Sequence, residues 1–128
     1  MNSDTVRNKH NVMGFYHMAF NERRPAEAVE KFVGAYYGQH NPQVADGAEG
    51  FIAFVMGFTS AHPELKLEIK RVIAEGDFVV LHVLGRLNVQ DPGAAIMDIF
   101  RLQDGRIVEH WDVVQPIPPT SANSSGMF

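Results

Sequence analysis

The sequence predicts an α+β domain in which three N-terminal helices pack on a strongly curved antiparallel sheet and enclose a cone-shaped cavity. Three observations predict it. Apolar residues recur at helical spacing over the first half of the chain, and the period changes to two near residue 64. Helical segments then give way to four long strand patterns, an order that places helices on one face of a sheet. The length, 128 residues, suits one domain with one core.

Residues 4–21 read as the first helix, with Val6, His10, Met13, Phe20 and the pair Val12 and Tyr16 at spacings of three and four. Ser3 or Asp4 is the expected cap. Pro25 is pre-shaped for a first helical turn and opens "PAEAVEKFV", which puts Ala28, Val29, Phe32 and Val33 on one side. "GAYYGQHNPQV" breaks the pattern and reads as a short strand followed by a turn. Residues 47–61 are helical again and stop at His62-Pro63.

"ELKLEIKRVI" alternates, with Leu65, Leu67, Ile69 and Ile73 on one face and Glu64, Lys66, Glu68 and Lys70 on the other. "EGD" turns the chain, and "FVVLHVLGRL" is apolar on both faces, as a central strand is. After the Asp-Pro-Gly loop, "AIMDIFRL" and "RIVEHWDVVQP" form the last two strands, joined by "QDG". The domain spans residues 1–117. The remainder, 118–128, is rich in Pro, Ser and Gly and is expected to be a flexible tail.

Composition narrows the function. The net charge is −4 and no Lys/Arg run stands out, which argues against nucleic acid and anionic membranes as partners. There is no cysteine, which removes thiolate chemistry and disulfides and favours a cytoplasmic home. The N-terminal stretch lacks the apolar segment of a signal peptide, and no stretch approaches the ~20 apolar residues of a membrane span.

The last hairpin decides the chemistry. With a two-residue turn at Asp104-Gly105, Asp98 faces Trp111 and Asp112 points to the other side of the sheet. With a glycine-bulged turn, Leu102 pairs with Arg106, Asp98 lies opposite His110, and Asp112 shares their face. The second register is preferred because it collects Asp98, His110 and Asp112 on one polar face and leaves Met97, Ile99, Trp111 and Val113 on an apolar one.

"DIFRLQDGRIVEHWD" at 98–112, preceded by "YGQHNP", resembles the SnoaL-like polyketide cyclases of the nuclear transport factor two-like superfamily. The resemblance covers most of residues 5–117. It implies that Asp112 acts as the general acid/base, with Asp98 assisting; the cyclases carry a histidine where this chain has Asp98. It also implies a homodimer through the exposed sheet face and no metal or organic cofactor.

Such a protein performs a cofactor-independent acid/base reaction, an intramolecular aldol condensation or isomerisation of a small apolar oxygenated compound. A carboxylate beside a second carboxylate in an apolar pocket is tuned upward and can both take and return a proton. A Schiff-base route needs a buried lysine, and Lys66 and Lys70 lie on a polar strand face. His82 either lines the cavity or is a core histidine. His40 either stands at the pocket mouth or stabilises a turn. Tyr37, His110, Phe54 and Phe58 complete the expected binding residues. Arg101 is on the opposite side of its strand from Asp98, against the Asp-Arg-Asp arrangement of an epoxide hydrolase. A non-catalytic ligand-binding or dimerisation domain of the same fold is the alternative, and it predicts no turnover to lose on replacing Asp112.

Overall fold

A computed structural model describes residues 3–128. Helix α1 (Ser3–Tyr16) runs into a π-helical turn (His17–Asn21); α2 (Pro25–Phe32), β1 (Val33–Gln39) and α3 (Gly47–Ala61) follow. Strands β2 (Lys66–Glu75), β3 (Phe78–Arg86), β4 (Ala94–Gln103) and β5 (Arg106–Pro116) complete the order. The fold is α+β as expected, with the helices N-terminal and the sheet not closed on itself. Among the described residues no helix is long and apolar enough to cross a membrane. Residues 117–128 carry no helix or strand, although the Phe128 ring lies over His82.

The sheet has the order β1-β5-β4-β3-β2. It is mixed rather than wholly antiparallel, because the short strand β1 joins parallel to β5, with Gln39 beside His110. This corrects the expectation of an antiparallel sheet. Helix α3 separates β1 from β2, so β1 forms no hairpin and docks on the free edge of the last strand.

The inward face of the first helical stretch includes Val12 and Tyr16 as expected, but not Val6 or His10. Thr5, Asn8, Val12, Phe15, Tyr16 and Ala19 are buried, while Val6 is 53% exposed and His10 is exposed. The expected cap at Ser3 or Asp4 falls inside the first turn, so the capping position itself lies outside the described residues. In β2 the alternation breaks between Ile69 and Arg71, where one extra residue interrupts the ladder with β3. Leu67 and Ile69 point inward, and beyond the bulge Val72 and Ala74 take over that face. Ile73, expected with them, is 57% exposed.

The core lies between the helices and the inner sheet face, around Phe15, Val55, Leu81, Phe100 and Ile107, each at most 1% exposed. The open edge at β2 is held by a side chain. Asn21 donates from Nδ2 to the Leu67 carbonyl (2.9 Å) and accepts from the Leu67 N–H at Oδ1 (3.0 Å), as a neighbouring strand would. Asn21→Leu strands both of these Leu67 backbone groups, and a loss of about 1–3 kcal/mol in urea unfolding is expected.

Candidate active site

Two demands meet in the β4–β5 hairpin. Asp104 (φ 51°) and Gly105 (φ 81°) are both left-handed, so the turn has two residues and Gln103 pairs with Arg106. The glycine-bulged turn expected from the sequence is therefore corrected. Left regular, this turn would put Asp98 opposite Trp111. Instead Leu102 pairs with Ile107 and Arg101 with Glu109, which makes Val108 an extra residue in β5. Ile107 (0% exposed) and Val108 (2%) are both buried, which favours the bulge at that point. One residue of offset restores the face: Phe100 pairs with His110, and Asp98 with Asp112 rather than with His110.

Asp98, His110 and Asp112 thus border one pocket of about 510 Å³, within the range of small-molecule sites. Its walls are mainly aromatic and aliphatic, and Phe54 and Phe58 stand in them with centroids 5.3 Å apart. The polar groups of the floor come from β4, β5, α1 and the end of β1.

The hydrogen bonds fix most of the protons. Gln39 Oε1 accepts from the backbone N–H groups of His40 and Asn41, both at 3.0 Å, so it is the oxygen of that amide. It lies 2.7 Å from His110 Nδ1, which must therefore donate. The other ring nitrogen, Nε2, is 2.8 Å from Asp98 Oδ1. One proton occupies that contact, on nitrogen or on oxygen. Asp98 Oδ2 accepts from the Tyr16 hydroxyl at 2.8 Å. Burial pushes the Asp98 carboxyl up, against the hydrogen bonds from His110 and Tyr16 that favour its charged form. Burial, and then the Asp98 charge, likewise hold the Tyr16 phenol far above its usual value.

Asp112 is the more open acid. Asn41 Nδ2 lies 2.9 Å from both of its oxygens, and Asn41 Oδ1 accepts the Gln43 N–H at 2.8 Å, which fixes that amide too. Asp112 Oδ2 is 3.8 Å from His110 Nε2, so the imidazole sits between the two carboxylates. Asp98, His110 and Asp112 each offer one ligand atom within 4.8 Å of the others, a spacing that could receive a cation if the shared proton left.

Of the expected site residues, the structure brings together Asp98, Asp112, His110, Tyr37, Phe54 and Phe58. His82 and His40 are elsewhere. His82 pairs with Met97 on the outer face, where Arg71 bonds its ring, because its neighbours Leu81 and Val83 take the inward positions. His40 also points outward, one residue beyond the inward Gln39. It stacks on Trp111 (4.8 Å, 7°) and bonds Glu109 at 2.8 Å. Arg101 lies on that outer face, on Glu109 and Tyr36.

Three participants escaped the sequence reading. Tyr16 has the spacing of a core residue, and Gln39 and Asn41 lie in a stretch read only as a short strand and a turn. The alternation Tyr37, Gln39, Asn41 was the available signal.

The chain is an open-sheet α+β domain whose largely apolar pocket holds two carboxylates around one imidazole. The chain belongs to the SnoaL-like polyketide cyclase family, which matches residues 10–121. Among solved structures it is similar to TsrD from Streptomyces laurentii, at 25% identity over 89% of this chain and 90% of that one, with a TM-score of 0.71. AclR from Streptomyces galilaeus aligns at 22% identity over 88% and 81% with a TM-score of 0.67. IdmH from Streptomyces antibioticus aligns at 22% over 84% and 91% with a TM-score of 0.61. The last two show the shared fold. No curated protein matches the chain.

Proposed function

We propose that the chain is an acid/base enzyme that uses its own side chains to close a ring by an intramolecular aldol step, or to move a double bond, in a small apolar molecule carrying carbonyl oxygens. The observation that carries this reading is the 2.8 Å contact between His110 Nε2 and Asp98 Oδ1 beside a second carboxylate. Asp112, the more open acid, takes a proton from carbon flanked by a carbonyl. The new carbon–carbon bond leaves an alkoxide, and the His110–Asp98 pair gives it the shared proton. Asp112 then returns the abstracted proton to Nε2, 3.8 Å away, after an approach of about 1 Å to hydrogen-bond distance. No proton is gained or lost over the cycle. In this reading a second copy of the chain docks on the outer sheet face, where Met97, Ile99 and Val113 are exposed.

Proton abstraction can be tested without the natural substrate. Wild-type protein is expected to accelerate exchange of the C1 protons of 2-tetralone into heavy water, followed by NMR. Asp112→Asn should lower that rate by about 10²–10⁴-fold, the usual contribution of a positioned acid/base. Equal rates for the two proteins would favour ligand binding without chemistry.

A further inference from the structure

We propose that the Tyr37 hydroxyl is a substrate-positioning donor, which holds a neutral oxygen of the bound molecule. This rests on the acid/base reading above and assigns it a further residue. Tyr37 borders the pocket and is 5% exposed. Among the described residues its hydroxyl is the buried side-chain polar atom with no hydrogen-bond partner. A buried hydroxyl without a partner is destabilising, so a phenylalanine would serve packing better there.

The protein has not left this group idle through looseness. Aromatic neighbours hold the ring on several sides: Phe51 at 5.7 Å, Phe15 at 6.5 Å, and the His110 imidazole, nearly parallel, at 6.3 Å. Gln39 lies beside it, but its amide oxygen is already taken by His110 Nδ1 and two backbone N–H groups. The phenol proton is therefore free for a ligand. Burial, reinforced by the nearby Asp98 charge and opposed by the Gln39 side chain, keeps that proton on the oxygen, so Tyr37 acts as a donor.

The surroundings define what it meets. Phe15, Phe20, Phe51, Phe54 and Phe58 line the same pocket and favour flat rings. Asp98 and Asp112 make the polar end unfavourable for a ligand carboxylate, whereas a neutral carbonyl or phenol oxygen fits.

The test is binding of two matched probes, 2-naphthol and its oxygen-free parent naphthalene, to the full chain. Wild type is expected to prefer 2-naphthol by about tenfold or more, the worth of one well-made hydrogen bond. Tyr37→Phe should bind both probes alike, with Tm unchanged or raised. A wild type without the preference, or a Tyr37→Phe protein that keeps it, overturns the assignment. So does a Tyr37→Phe protein that loses Tm, the mark of a structural hydroxyl. Asp112→Asn separates this inference from the one beneath it. Oxygen preference that survives in Asp112→Asn, with tetralone exchange absent from wild type, defeats the acid/base reading alone. Normal exchange with preference intact in Tyr37→Phe defeats the Tyr37 assignment alone.

Discussion

Asp98→Ala is expected to lose about 3–5 kcal/mol of stability, the usual result of breaking one side of a buried polar pair. Asp98 is 3% exposed, and its removal leaves the buried Tyr16 hydroxyl and His110 Nε2 facing an empty space. Asp98→Asn should behave differently. Its amide can donate to Nε2 and accept from Tyr16, the same two bonds that a protonated Asp98 makes. Its stability should stay within about 1 kcal/mol of wild type, while its tetralone exchange falls, because an amide does not surrender a proton. Urea unfolding of the two variants side by side measures the difference. Equal losses would mean that the contacts of Asp98, and not its protonation, matter little to the fold.

The same pair predicts a pH dependence with a definite sign. Burial makes Asp98 hold its proton more tightly in the folded chain than in the unfolded one, where a carboxyl titrates near ~4. Above that pH the folded state therefore binds more protons. The Asp98 contribution is fully present below the unfolded value and is lost as pH rises through the folded one. Asp98→Asn carries no such proton, so its Tm should decline less than that of wild type on going from acid to neutral buffer. Parallel curves would contradict the raised carboxyl.

Phe100→Ala is the second large effect, at about 3–5 kcal/mol for a buried aromatic truncated in place. Phe100 is 1% exposed and joins the core to the site: its ring is 4.8 Å from His110, 6.0 Å from Phe15 and 6.4 Å from Tyr16. The cavity would open beneath the imidazole, so exchange should fall together with stability. Phe100→Leu, which fills more of the space, should lose less of both. A stability change under about 1 kcal/mol for Phe100→Ala would show that the site collapses onto the gap.

The hairpin shows how far local reasoning reaches. Asp104-Gly105 announced a turn and the acids announced a polar face, but a two-residue turn and a shared face are incompatible in a regular ladder. The structure keeps both by inserting Val108. Nothing local marks Val108 as the extra residue; it is settled by the space for Ile107 and Val108 in the core. Lys70 in β2 is a similar case, since "ELKLEIKRVI" alternates well enough to hide a bulge that turns Ile73 outward. His82 and His40 were misplaced because an apolar neighbourhood or a turn does not say which way one side chain faces.

The residue pattern alone was enough for the order of elements, the helix-to-strand change near residue 64 and the presence of acids beside the last turn, since each depends on spacing along the chain. Packing across the sheet chose the parallel docking of β1, the bulges, and the meeting of Tyr16, Gln39 and Asn41 with Asp98, His110 and Asp112. Tyr16 and Asp98, joined by a hydrogen bond, lie 82 positions apart in the chain. Side-chain direction in a strand alternates with every residue, so a single inserted position, visible only when both partners are in place, determines which groups share a pocket and a proton.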